Sequence, residues 1–519
     1  MNSDPGDHRR EQLSGVAKGA AFTLLFQFLD KILGVLFVVL VPRLIGLANL
    51  GIFNIGLSVN HILAGIGTLG LTQAAVKEGS VLFERQDWGR LRGLLRFAVW
   101  VPLGVSLGFS VCLVIFSDSL AGAFLHDPGL GWTFWAVAAA LPASCLTLVL
   151  PQFSLALRVV RHLAIVKHFL EPLGKIVFFL LLFGVGLRLG AVVWGFPLAM
   201  LVCLLVSGAF AARLLARLPA GTAAPVDKGA LLRFSLPLLG PLILGNVLIW
   251  IDILLLGYFS GNQEVGLFSI ALKLIWVPDM VVRAFVNPVS PRLAATLAAG
   301  DRSAWQDLYR QVGRWALGLS LPGYLFLLLR SELCLGVLDR QFVPGAAFIS
   351  VMCLGPLALA LIGPADTLLV MSGHSRMQLW NSLVLFGLNL AGCLLTLPLF
   401  GAEALAWVLS GVAVLYGLIL VGESLWLFGF CPVSPKVWRT LAAGFLAGGF
   451  LWWASGHALA AGLLSRLLLE GAVFLAIYFG ILLSFGLDRG DREIMAQTGA
   501  NIREHLRAVL QRDRSGKYL

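Results

Sequence analysis

The chain has 519 residues, of which 59% are hydrophobic and only 13% charged. A water-soluble domain has about a quarter of its residues charged and no means of hiding this much apolar surface, which excludes a soluble enzyme or binding domain. The formal net charge of +11 does not point to nucleic acid either, because the basic residues are scattered over loops and a C-terminal tail instead of gathered on one domain.

Residues 1–14 are polar and include Arg9 and Arg10, with no short apolar stretch and cleavage site behind them, so a retained first helix is expected rather than a signal peptide. About fourteen apolar runs long enough to span a bilayer follow. They lie near 17–42, 50–72, 94–116, 131–155, 167–187, 190–212, 234–258, 265–287, 313–329, 345–371, 377–398, 404–428, 438–459 and 463–486. Helices are required at this length and density, since backbone polar groups must be satisfied within the segment in lipid. The expected fold is an all-α polytopic membrane protein.

Arg43, Arg188, Arg330, Arg340 and Arg466 fall on one side of these runs, and Lys31, Lys175, Lys273 and Arg283 sit within them. The remaining basic residues lie on the other side, which the positive-inside rule makes cytoplasmic, with both termini inside.

Short motifs recur at one offset. Gly51-Ile52-Phe53-Asn54-Ile55 returns as Gly266-Leu267-Phe268-Ser269-Ile270. Arg85, Trp88 and Leu91 return as Arg302, Trp305 and Leu308, and Ala191 and Trp194 as Ala404 and Trp407. A repeat of about 215 residues predicts two pseudo-symmetric six-helix lobes with a path between them, a transporter plan. The boundaries read as a cytoplasmic N-terminus at 1–14, an N-lobe at 15–216, a linker at 217–231, a C-lobe at 232–430, a further helix pair at 431–487 and a basic tail at 488–519. The tail alternates arginines such as Arg503 and Arg507 with Ile502, Leu506 and Leu510, the pattern of an amphipathic helix on the inner leaflet.

Outward connections are short, the longest lying at 117–131, so no external domain is available for catalysis. Inward connections at 77–92 and 292–311 both read as short amphipathic helices. The seven cysteines form no CxxC pair and the eight histidines show no ligand spacing, so neither metal nor disulfide chemistry is expected.

Ionisable groups inside the bilayer cost several kcal/mol unless paired or wetted, and here they concentrate in the first two helices of each half. The first helix has Gln27, Asp30 and Lys31, and the second Asn54, Asn60 and His61. The seventh has Asn246 and Asp252, and the eighth Lys273, Asp279 and Arg283. Asp279 and Arg283 are spaced to pair on one helix face, leaving Lys31 and Lys273 as cations available to an anionic ligand such as a pyrophosphate. Other roles stay open: Lys31 pairing with Asp252 to hold helices together, Asp279–Arg283 as a structural pair, Arg283 snorkelling to headgroups, and Glu171–Lys175 as a structural pair in the fifth helix. Asp366, Glu423 and Glu470 stand isolated. Pro237, Pro241 and Pro278 are expected to break the seventh and eighth helices.

The run from Leu50 to Ile55, the stretch from Asn246 to Asp252 leading to Gly257 and Gly266, and Pro288 with Pro291 resemble the polysaccharide-transporter branch of the multidrug/oligosaccharidyl-lipid/polysaccharide exporter superfamily, over most of residues 15–430. The resemblance implies a bacterial inner-membrane flippase of the O-antigen or exopolysaccharide type. Such a protein moves a polyprenyl-pyrophosphate-linked oligosaccharide from the inner to the outer leaflet, amid membrane lipids and in concert with a polysaccharide polymerase or export machinery. By that resemblance Lys31, Lys273 and Arg283, with Asn54 and Asn246, would meet the substrate. Asp30, Asp252 and Asp279 would carry coupling H⁺ or Na⁺, with no other cofactor.

Two relatives compete within the superfamily. A flippase of lipid-linked peptidoglycan precursor would be richer in arginine in its first two helices, which here hold only Lys31 and Arg43. A cation-coupled small-molecule exporter would favour an acidic, aromatic cavity. An enzyme of polysaccharide assembly would need catalytic groups on a sizeable external loop, which Asp118, Asp127, Glu264, Asp339 and Glu403 on short loops do not supply.

Overall fold

The computed structural model describes residues 5–157, 159–219, 228–434, 436–454 and 462–485, with side chains from Leu25 onward except at 228, 230–243, 287 and 288. The tail expected at 488–519 and most of the linker expected at 217–231 lie outside the described residues. In chain order the helices are α1 (Pro5–Ile45), α2 (Leu47–Gly67), α3 (Leu71–Glu84), α4 (Trp88–Ile115), α5 (Ser117–Phe124), α6 (Trp132–Ala156), α7 (Arg161–Ile165), α8 (Glu171–Gly184), α9 (Leu189–Ala216) and α10 (Lys228–Phe259). They continue as α11 (Asn262–Ala298), α12 (Arg302–Leu338), α13 (Ala346–Met352), α14 (Leu354–Ile362), α15 (Ala365–Met371), α16 (Ser375–Phe400), α17 (Ala402–Phe428), α18 (Val437–Ala454) and α19 (Leu463–Ser484). Ten helical segments among the described residues are long and apolar enough to cross a membrane. The apolar runs beyond those ten, at 17–42, 167–187, 234–258 and 438–459, coincide with α1, α8, α10 and α18.

The chain forms two compact units. One comprises Met1–Met280, Arg330–Pro356 and His374–Tyr416, and the other Val281–Leu329, Leu357–Gly373 and Gly417–Leu519. In the first unit α6 packs against α2, α4 and α9, and α10 against α2 and α16. Phe153, Leu91 and Leu150 are buried where α4 and α6 meet, with Ala211 of α9. In the second unit α18 packs on α19, and Leu317, Leu321, Ala443, Ala447 and Phe474 close the interior. There the Tyr478 hydroxyl donates to the Gly318 carbonyl at 2.9 Å.

The repeated motifs meet each other in the first unit. Gly51, in the first turn of α2, lies so close to α11 that a Cβ there would collide with the Asn262 carbonyl. Gly266, in the first turn of α11, likewise lies so close to α2 that a Cβ there would collide with the Leu47 carbonyl. The connections following α5 and α12 also match. Asp127 accepts from the Gly129 N–H and Asp339 from the Gln341 N–H, and each opens a 3₁₀ turn, at Pro128–Leu130 and Arg340–Gly345. The chain just ahead of each turn is gripped from elsewhere in the unit: Asn262 donates to the Leu125 carbonyl at 3.0 Å, and Arg43 donates to the Leu338 carbonyl. Arg43 also pairs with Asp339 at 3.4 Å. Trp194 and Trp407 occupy matching places near the starts of α9 and α17, both exposed.

Several sequence expectations change. Pro237, Pro241 and Pro278 do not break α10 and α11, which continue through them, because one lost hydrogen bond in a long helix is absorbed by the turns on either side. The run expected as one helix at 345–371 is three helices, separated at Cys353 and at Gly363–Pro364, where Gly363 takes φ +79°. Of the two amphipathic stretches, 77–92 holds the end of α3 and the start of α4, whereas 292–311 is the end of α11 and the start of α12 joined through Gly300 at φ +70°. The long connection at 117–131, expected to face outward, is folded, as α5 and a 3₁₀ turn.

Candidate functional site

Asp30 and Lys31 lie far along the 41-residue α1, within its apolar stretch. Lys31 Nζ stands 3.6 Å from Asp30 Oδ2, so the first cation is not free as expected but shares its charge with its neighbour. Its partner is Asp30 and not Asp252, which settles the alternative pairing. Lys273 reaches α1 from α11 at Gly34, where an added Cβ would stand 4.0 Å from its Nζ. Both ammonium groups rest on one indole: Trp276 lies 5.2 Å from Lys31 Nζ and 4.7 Å from Lys273 Nζ, measured to the ring centre. Each such contact stabilises by about 0.5–2 kcal/mol, more as water is excluded.

Between α7 and α8 the chain forms a π-helical turn at Val166–Leu170, which widens the helix and aims two adjacent side chains inward. His168 Nδ1 approaches Asp30 Oδ2 at 3.7 Å, and Phe169 packs edge-on against Phe26 of α1. One residue earlier, Lys167 bonds Glu171 at 2.8 Å, and Lys175 bonds the other oxygen of the same carboxylate at 2.9 Å. Glu171 is buried, so both charge-assisted bonds count for more than they would at a surface.

Beside these groups is a cavity of about 80 Å³ lined by Asp30, Asn54, Lys175, Trp250, Lys273 and Trp276, among others. The cluster holds four lysines (Lys31, Lys167, Lys175, Lys273) and two carboxylates (Asp30, Glu171), an excess of two positive charges from these six side chains. Surplus cations beside water-sized space inside an apolar span favour negative charge there.

The other expected residues lie at varying distances from this centre. Asn54 is buried and lines the cavity. Asn246 donates to the His61 carbonyl at 2.7 Å, tying α10 to α2, while His61 stacks on Trp250 at 4.4 Å. Asp252 is buried in α10 and accepts from Asn389 of α16 at 2.7 Å, with Cys393 behind it at 3.9 Å from Asn389. Asp279 is half-buried, one residue before the first unit's portion of α11 ends; Arg283 is exposed and belongs to the second; neither lacks a partner. Glu470, expected to be isolated, pairs with Arg466 at 2.5 Å. Sequence reading missed Trp276, Lys167, His168 and Asn389. The spacing of Lys167 from Glu171 and of Lys273 from Trp276, four and three residues on one helix, was the available signal. No cluster of metal-ligating residues occurs among the described residues.

Comparison with known proteins agrees with this architecture. The profile of the family described as polysaccharide biosynthesis protein matches residues 16–296, more than half of the chain. The teichuronic acid biosynthesis protein TuaB of Bacillus subtilis (strain 168) is 23% identical over 176 residues, which cover 33% of this chain and only 35% of that relative. The lipid II flippase MurJ, in an inward closed conformation, superposes with a TM-score of 0.70 at 11% identity, over 89% of this chain and 98% of its own. An inward-facing multidrug resistance MATE family transporter of the MOP superfamily superposes with a TM-score of 0.59 at 14% identity, over 84% of this chain and 96% of its own. The solved structures that share the fold are flippases and exporters, not enzymes. The chain is a multi-pass membrane protein that shares its fold with that flippase and that exporter, and it belongs to the polysaccharide biosynthesis protein family.

Proposed function

We propose that this protein is a flippase that carries a polyprenyl-pyrophosphate-linked oligosaccharide from the inner to the outer leaflet of the bacterial cytoplasmic membrane by alternating access. The observation that carries the reading is the meeting of Lys31 and Lys273, from α1 and α11, beside a cavity whose surroundings hold two surplus positive charges. Two phosphates joined by one bridge match two ammonium groups held together, and hydrogen bonds to charged oxygens are roughly twice as strong as neutral ones. Asn54 offers an amide to the same space, and Lys175 a third cation. Family membership and the flippase fold support lipid-linked saccharide as the cargo class.

Asp30, Asp252 and Asp279 are the carboxylates placed to exchange H⁺ or Na⁺ with the cycle, and Asp252 has its amide partner Asn389 already in place. With the positive-inside rule setting both termini in the cytoplasm, the Gly51–Gly266 contact and the Arg43–Asp339 pair face outward and close that side. Arg283, ten residues after Lys273 on α11, is a further cation proposed to meet the substrate. A polysaccharide polymerase or export machinery is the consumer of the flipped product.

The test uses the purified protein in proteoliposomes with a fluorescent polyprenyl-pyrophosphate oligosaccharide. The fraction of label reached by an impermeant quencher is followed with and without a proton or Na⁺ gradient. Protein-dependent flipping that Lys31→Ala and Lys273→Ala both impair, at normal expression, is the expected result. Flipping unaltered in both variants would remove the cavity cations from the mechanism, and export of small cationic drugs without saccharide flipping would make the protein an exporter.

A further inference from the structure

Two tryptophans line the cavity, and their surroundings differ in one respect that matters for a ligand. Trp250 is stacked on His61 at 4.4 Å with the planes 19° apart, so one of its faces is already covered by an aromatic side chain. Trp276 is covered by two mobile ammonium groups, at 4.7 and 5.2 Å from its ring centre. Lys31 has a carboxylate at 3.6 Å as well, whereas among the described residues no carboxylate stands within ion-pair distance of Lys273, whose ammonium rests on the indole.

A cation on an aromatic face is held more weakly than the same cation on a phosphate oxygen, particularly in a desolvated site. A pyrophosphate entering the cavity therefore strips both lysines from Trp276. That exchange leaves an apolar ring face bare beside the bound phosphates. The group covalently next to a pyrophosphate in a lipid-linked saccharide is a sugar ring, whose C–H face is apolar and flat enough to cover an indole.

We propose that Trp276 is a specificity residue that trades partners. In the empty site it holds Lys31 and Lys273 together; in the loaded site it yields both to the pyrophosphate and stacks on the sugar attached to it. The inference rests on the reading of this cavity as a pyrophosphate site and adds to it the recognition of the first sugar. It gives the site a reason to prefer a glycosylated lipid over the bare prenyl pyrophosphate left after the sugar is removed.

The experiment uses the full-length protein in detergent with two soluble probes, farnesyl pyrophosphate and farnesyl-pyrophosphate-linked N-acetylglucosamine. Wild type should bind the sugar-bearing probe about tenfold more tightly than the bare one. Trp276→Leu should lose most of that gain and Trp276→Phe, which keeps a ring, should retain most of it. Farnesyl pyrophosphate alone should change the tryptophan emission of wild type, and this change should vanish in Trp276→Phe. An undiminished sugar gain in Trp276→Leu overturns the exchange, and so does an emission change that survives in Trp276→Phe, which is decisive if the leucine variant does not fold. The Lys31→Ala/Lys273→Ala double variant separates the two claims. If it binds farnesyl pyrophosphate as wild type does, the pyrophosphate site itself is refuted; if it loses that binding while the leucine variant keeps the sugar gain, only the role of Trp276 falls.

Discussion

Gly51 and Gly266 make the same contact in opposite directions. A Cβ on Gly51 would strike the carbonyl of Asn262, four residues before Gly266, and a Cβ on Gly266 would strike the carbonyl of Leu47, four residues before Gly51. The two helices approach backbone to backbone, and only glycine permits it at either position. Overpacking such a contact costs about 1–3 kcal/mol. Gly51→Val and Gly266→Val should each disfavour this conformation and slow flipping about tenfold. Gly104→Val and Gly108→Val, whose added atoms meet open space on α4, should leave the rate near wild type. Initial rates in the proteoliposome assay decide; equal rates in all four variants would show that the contact is not part of the cycle.

Glu171 is shared by Lys167 and Lys175, so removing its charge strands two cations at once. Breaking a fully buried pair costs about 3–5 kcal/mol. Lys167 is 38% exposed and water compensates part of its loss, so Glu171→Gln should cost about 2–3 kcal/mol. Lys167→Met, which leaves the Glu171–Lys175 bond intact, should cost less. Thermal midpoints in detergent rank the two variants.

Asp252 and Asn389 keep their geometry if the carboxylate becomes an amide, because an asparagine oxygen still accepts from Asn389 Nδ2. Asp252→Asn should therefore fold and bind substrate but flip it at a rate that no longer responds to an imposed H⁺ or Na⁺ gradient. A gradient response equal to wild type would remove Asp252 from coupling.

His162, in α7, is stacked flat on Phe210 at 4.1 Å and bonded to the Ser154 hydroxyl at 3.1 Å. Burial holds its pKa below the ordinary 6.5, with the Arg161 and Arg217 charges acting in the same direction. The unfolded chain takes up the proton more readily than the folded one, so unfolding free energy declines as pH falls below about 6.5. Between pH 7.5 and 5.5 the thermal midpoint of wild type should drop more than that of His162→Gln. Parallel curves would assign the acid sensitivity to other groups.

The parts of the site that stood out in the sequence are those whose chemistry is anomalous for their surroundings. Lys31, Lys273 and Asp252 are charges in apolar runs, and the cost of burying them marks them without any knowledge of the fold. Trp276 and Asn389 carry no such mark, since an aromatic or an amide in a spanning helix is ordinary until the facing helix is known. Lys167 sat at the edge of a predicted run, where the distinction between loop and membrane is least sharp. The helix breaks divide in the same way. Gly363–Pro364 is a turn signal in the sequence itself, whereas the continuity of α11 through Pro278 depends on neighbours that a one-dimensional reading does not contain.

The π-helical turn at Val166–Leu170 holds one residue more than its rise requires, and so works as a rotary offset between α7 and α8. Each residue of an α-helix advances the face by about 100°. Deleting a single residue from this turn would let the helix run on regularly, swing His168 out of reach of Asp30 and detach Phe169 from Phe26, with every remaining side chain chemically unaltered. The charge balance at Asp30 is in that sense a matter of chain length, set by where one surplus residue was placed.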